Sequence, residues 1–169
     1  MGDCRVQGFG TNQDGRSMGL TAPNGPAQTK LLQSILRDGS SYQPNVIEIH
    51  GTGTSLGDPI EIQALHNAFL QNNRPPMVLT SSKTMFGHAE TVAGILGVLK
   101  ILHMFNTHKT CPNLHFKHLN AHIGSDLIEA FNSVLPLEAI SMPSESQLTA
   151  FGNKCLWIFW HKCPCGCGC

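Results

Sequence analysis

Val46-Ile47-Glu48-Ile49-His50-Gly51-Thr52-Gly53-Thr54-Ser55-Leu56-Gly57-Asp58-Pro59-Ile60-Glu61 decides the reading of this chain. Its first four residues suit a largely buried strand. The strand runs into His50, and Gly51 to Thr54 then alternate glycine with threonine. Glycine lets a backbone pass close to a ligand, and the hydroxyls can bond a ligand's amide or phosphate groups. After the turn, Asp58 is read as a helix cap, Pro59 as the first helical residue and Glu61 as the capping-box partner. His50 thus stands at the C-terminal edge of a strand, where open α/β sheets bind ligands.

Working outward, a second stretch repeats the arrangement. Met77-Val78-Leu79-Thr80 reads as a strand, followed by Ser81-Ser82-Lys83-Thr84-Met85-Phe86-Gly87-His88-Ala89-Glu90 and a long apolar helix. Two strands therefore each deliver a histidine, one with a lysine nearby. The helix is apolar nearly all round, from Val92 through Leu102, which predicts a buried helix. Upstream, Cys4–Thr11 can form a strand, and Pro26 opens a helix with an apolar stripe of Leu31, Leu32, Ile35 and Leu36, ended by Asp38-Gly39. The segment Leu127 to Glu138 has a weak strand pattern. Strands alternating with helices over short connectors predict an α/β fold.

Composition narrows the setting. Charged residues make up 13% of the 169 residues against 41% hydrophobic. Soluble domains average roughly 25% charged, so part of this surface is expected to be covered. The formal net charge is zero, which gives no support for nucleic acid or an anionic membrane as partner. The first residues show no apolar signal region, and the run from Val92 to Phe105 is too short to span a bilayer. A soluble cytoplasmic chain is expected.

Four motifs in order carry a resemblance. They are Asn12-Gln13-Asp14-Gly15; Gly19-Leu20-Thr21-Ala22-Pro23-Asn24-Gly25-Pro26-Ala27-Gln28; His50-Gly51-Thr52-Gly53-Thr54 with Gly57-Asp58-Pro59-Ile60-Glu61; and Lys83 with Gly87-His88 and Glu90. Together, from about Val6 to Pro136, they resemble the β-ketoacyl synthase family, in particular ketosynthase domains of polyketide synthases and animal-type fatty acid synthases. The resemblance implies the C-terminal half of a thiolase-like fold, incomplete without an N-terminal half, in a family that forms homodimers. It implies a decarboxylative condensation: a cysteine takes an acyl chain from the phosphopantetheine arm of an acyl carrier protein, and a malonyl thioester loses carbon dioxide to form the attacking enolate. No bound cofactor is implied beyond these thioester substrates.

By motif position, His50 and His88 match the family's catalytic histidines and Lys83 its lysine. Two imidazole N–H donors aimed at the enolate oxygen would stabilise charge as it develops. Thr52 and Thr54 would face the pantetheine arm, Lys83 would set the field around His88, and Glu90 would hold the local loop. The family's reactive cysteine segment has no counterpart here, and neither Cys4 nor Cys111 has its surroundings. Met85 stands where the family usually has asparagine. The reading is a fragment inactive by itself, with a non-catalytic carrier- or partner-binding module as the alternative.

Residues 1–138 are read as the partial synthase domain and 139–169 as a tail outside the family. The family closes this half with S-F-G-F-S-G-T-N-A-H-V, whereas this chain has Lys154 to Cys169 with two tryptophans and alternating cysteines. Reading one base along turns Trp157 and Trp160 into forced glycines and permits G-F-S-G-T-N-A-H-V, which predicts a changed reading frame and a loosely ordered end from about Gly152. The competing reading is a metal-binding protein, with His161, Cys163, Cys165, Cys167 and Cys169 as ligands for zinc or copper(I). The single residue between successive cysteines is tighter than the roughly two to four of structural zinc sites, so no metal ligand is assigned.

Overall fold

A computed structural model describes residues 4–15, 22–39, 44–69, 76–124, 128–129, 132–142, 148–153 and 156–162. Its centre is strand β2, Val46–Glu48, buried along its whole length. β2 pairs in parallel with β3, Met77–Thr80, in the register Val46↔Val78 to Glu48↔Thr80. β3 pairs in parallel with the two-residue β4, Ser133–Val134. On its other side β2 runs parallel to β5, Leu148–Asn153. β5 pairs antiparallel with β6, Leu156–Lys162, which pairs antiparallel with β1, Cys4–Thr11. The sheet order is β1-β6-β5-β2-β3-β4.

Helices cover both faces, because successive strand residues point to opposite sides. Ile47, Ile49, Met77 and Leu79 form one core with Leu31, Leu32 and Ile35 of α1 (Gly25–Gly39) and Ile62 and Leu65 of α2 (Gly57–Ala68). Val46 faces the other way, onto Ile101, Met104 and Phe105 of α4 (Ala93–Thr107). α1 starts where Asn24 caps it, Oδ1 accepting the Ala27 amide at 3.0 Å. It lies tight on β1 because Gly10 has no side chain: a Cβ there would stand 2.8 Å from Leu31 Cδ1.

Three expectations are corrected. α4 is not buried all round. Ala93, Gly97, Lys100, Ile101, Met104 and Phe105 form its buried stripe, while Val92 just before it, Ile95 and Leu99 stay 51%, 62% and 55% exposed. The sheet can cover only one side of a helix, and nothing among the described residues covers the other.

The described residues of the tail, 148–153 and 156–162, are not loosely ordered. β5 and β6 lie in it and join the sheet. Leu156 to Trp160 is rich in aromatic and β-branched residues, strong strand formers, and a strand between β1 and β5 pairs one edge of each. Cys163–Cys169, the cysteine-rich end, lie outside the described residues. The third correction is that, among the described residues of Leu127 to Glu138, only the short β4 is strand and 128–129 are helical; 127, 130 and 131 lie outside the described residues.

The bare side of α4 carries a prediction. Contiguous exposed apolar surface drives association, so the purified chain should self-associate. Replacing Ile95 and Leu99 together by lysine should shift it towards monomer in sedimentation, with unfolding free energy changed by less than about 0.5 kcal/mol per site. A monodisperse monomeric parent would refute this. Among the described residues no helix is long and apolar enough to cross a membrane.

Candidate functional site

The site forms where β2 and β3 end side by side. Past Glu48, the Ile49 amide still bonds the Thr80 carbonyl at 2.8 Å, and the chain then leaves the sheet at His50. Gly51 and Gly53 take φ of 49° and 76°, a left-handed conformation that only glycine adopts at no steric cost. Glu61 reaches back from α2 and holds this turn: Oε1 accepts the His50 amide at 2.6 Å and Oε2 the Gly51 amide at 3.0 Å. Asp58 Oδ1 accepts the Gly53 amide at 3.0 Å, and its Oδ2 accepts from Asn120 at 3.2 Å.

The capping expectation is therefore corrected. α2 starts at Gly57, its N-cap position is Leu56, and no side chain caps it there. Asp58 and Glu61 lie inside the first turns, and their carboxylates serve the histidine loop. The Gly57 amide is taken instead by Thr54 Oγ1 at 3.0 Å.

The second loop is built as firmly. Asn113 accepts the Ser81 amide at 3.0 Å and donates to the Leu79 carbonyl at 3.1 Å. A four-residue helix, α3 (Lys83–Phe86), follows and ends at Gly87. His88 comes next, and the Glu90 amide donates to its Nδ1 at 3.0 Å. In the neutral ring the hydrogen then sits on Nε2, which is left to donate. Glu90 holds the loop through its backbone, at a φ of 47°, with its side chain exposed.

The two histidines meet. Their ring centroids lie 5.6 Å apart with planes at 90°. Two donors sharing one oxygen need to lie within roughly 6 Å of each other, and rings with centres this close can bring two nitrogens within that reach. Lys83 and His88 line one cavity of about 860 Å³, together with Thr52, Glu61, Asn113 and Asn120. His50 and Thr54 are not part of that lining; His50 is joined to it by its ring contact with His88. Of the two threonines, Thr52 faces the cavity and Thr54 is exposed and engaged with α2.

Electrostatics single out two groups. Burial pushes the Glu61 carboxyl up to about 7, opposed by the two amides and Lys83 and reinforced by Asp58. Burial holds the Lys83 amine below its usual range, which Glu61 and Glu48 oppose and Lys100 reinforces. Lys83 Nζ is buried and has no hydrogen-bond partner among the described residues.

Glu61 makes a pH prediction. Its folded value lies above the unfolded 4.5, so its contribution to stability is full below pH 4.5 and is lost as pH rises through 7. Glu61→Gln cannot titrate. The unfolding free energy of the parent minus that of the variant should fall by about 3 kcal/mol between pH 4.5 and 7.5, and a difference independent of pH would contradict the assignment.

Sequence reasoning missed Glu48, Lys100 and Asn113. The Lys100 ammonium meets Glu48 Oε2 at 2.9 Å with both side chains buried. A glutamate inside a buried strand and a lysine inside an apolar helix were the signal.

Residues 4–117 match the family model described as β-ketoacyl synthase, C-terminal domain. The chain belongs to this ketosynthase family. It is 39% identical over 150 residues to the hybrid PKS-NRPS synthetase lepA of Aspergillus flavus, covering 83% of this chain and 4% of that protein. It is 38% identical over 152 residues to the erythronolide synthase EryA2 of Saccharopolyspora erythraea, covering 87% and 4%. Among solved structures, the oxazolomycin ketosynthase domain OzmH KS7 of Streptomyces albus matches with a TM-score of 0.83 and 28% identity, over 94% of this chain and 29% of that one. The ketosynthase from module 6 of the bacillaene synthase of Bacillus subtilis matches with a TM-score of 0.79 and 28% identity, over 93% and 30%. The ketosynthase chain thus spans less than a third of either solved structure and a small fraction of either synthase. The α/β, thiolase-like half expected from the sequence is the fold found.

Proposed function

We propose that this chain is the oxyanion-stabilising half of a condensing site acting on thioesters of a phosphopantetheine arm. The single observation that carries the reading is the convergence of His50 and His88, 5.6 Å apart, beside a cavity that Lys83 also lines. In the proposed reaction the bond between the malonyl α-carbon and its carboxylate breaks, and carbon dioxide leaves. The electron pair enters the enolate, whose oxygen takes hydrogen bonds from the two imidazoles. The enolate carbon then attacks an acyl group held on a cysteine. The new carbon–carbon bond forms as that thiolate departs.

Donors fixed before the charge develops need no reorganisation when it appears; here Glu61 holds the backbone of the His50 turn, and the Glu90 amide holds the His88 ring. Lys83 adds positive charge in the same cavity, and Thr52, which lines it, would bond the amide groups of the arm. The acylated cysteine would come from an N-terminal ketosynthase half, the thioesters from an acyl carrier protein or domain, and the assembled site would belong to a homodimer.

The test is complementation. The purified chain is mixed with the separately produced N-terminal half of a polyketide ketosynthase, its cysteine already acylated, and with a malonyl-loaded carrier. A two-carbon-extended β-ketoacyl product, seen by mass spectrometry, is expected. Binding of the two halves without any product would overturn the catalytic reading in favour of a non-catalytic binding module.

A further inference from the structure

Glu48 lies two residues before His50 on a strand buried along its length, where a run of apolar side chains is the rule. A carboxylate in such a place must be paired and hydrogen-bonded. Three donors from three places meet it. Oε1 accepts the Ser82 amide, at the start of α3. Oε2 accepts the Thr80 hydroxyl of β3 at 2.8 Å and the Lys100 ammonium of α4 at 2.9 Å. Ser82 is the residue before Lys83, and α3 leads through Gly87 to His88. One buried carboxylate therefore ties the strand that delivers His50 to the turn that delivers Lys83 and His88, and both to α4.

Stability alone does not call for such a pair. Well-packed apolar residues of similar volume often serve as well as a buried ion pair or better. What apolar residues cannot supply is a directed acceptor for the Ser82 amide and the Thr80 hydroxyl. We propose that the Glu48–Lys100 pair is a positioning device that sets the place of the Lys83–His88 turn relative to His50. What the histidines then do rests on the function proposed above; the positioning does not. Lys83 is coupled to the same pair, since Glu48 attracts its ammonium and Lys100 repels it.

The full chain tests this without substrate. Histidines are carbethoxylated with diethyl pyrocarbonate, and the rates at His50 and His88 are read separately by peptide mass spectrometry. The variants are Glu48→Gln, Lys100→Met and the two combined, with Ile35→Val as a core control on α1, outside the cavity lining. In the parent, half-buried His50 should react more slowly than exposed His88. Glu48→Gln should raise the His50 rate at least about threefold by freeing the turn, and the control should not. The combined variant removes both charges, so it should melt within a few degrees of the parent and still show the raised His50 rate.

Parental rates in the combined variant would overturn the proposal, leaving the pair a matter of stability only. So would a Glu48→Gln variant whose His50 rate matches that of the control. If Glu48→Gln does not fold, the combined variant decides. Because labelling needs no thioester, its failure leaves the condensation test untouched. A preserved labelling pattern without condensation would instead count against the function and not the device.

Discussion

Lys100→Met should lower the unfolding free energy by about 3–5 kcal/mol, as measured by urea unfolding at neutral pH. The side chains of Lys100 and Glu48 are 4% and 0% exposed, so solvent neither screens the pair nor replaces a lost partner. Methionine refills most of the lysine stem but leaves the Glu48 carboxylate buried with two neutral donors and no cation. Exposed ion pairs contribute only about 0–1 kcal/mol, so a loss in that lower range would mean that water reaches Glu48. Adding Glu48→Gln removes the stranded charge and should recover most of the deficit.

The chain by itself should form no condensation product from acyl and malonyl carrier thioesters. The first chemical step needs a thiolate to carry the acyl group. Cys111 is half-buried, and burial pushes its thiol up, away from ionisation. Its amide bonds the Met104 sulfur at 3.2 Å, and it packs with the α4 core rather than lining the cavity. Product should therefore depend wholly on an added cysteine-bearing half. Sustained turnover by the chain alone would show a nucleophile that this account does not contain.

Much of this structure was legible in the sequence, and what was not has physical reasons. The strand at Val46 and the turn at Gly51 to Thr54 followed from residues that are locally committed, whereas nothing local forces His50 and His88 together and their convergence followed from the family resemblance alone. Gly51 and Gly53 need left-handed backbone, and Pro59 favours a helix start. The roles of Asp58 and Glu61 did not follow, because a carboxylate in the first helical turn can cap its own helix or reach the preceding loop. Only the tertiary position of His50 decides between these. The bare side of α4 was invisible because an all-apolar sequence does not say which of its sides the sheet will cover. The strand at Leu156–Lys162 was misread by weighing the cysteines above the aromatic run, although strand pairing answers to the latter. Glu48 and Lys100 were each visible as an anomaly, but their 52-residue separation concealed that they form a pair.

The central claim, that His50 and His88 act as one oxyanion-binding unit, is tested most directly by a double-mutant cycle on condensation in the complemented system. His50→Ala and His88→Ala should each lower the rate by about 10²–10³-fold. Residues that act as a unit are not additive, so the double variant should be little slower than the slower single one. Effects that multiply across the two positions, or a rate unchanged in either single variant, would contradict a shared oxyanion site.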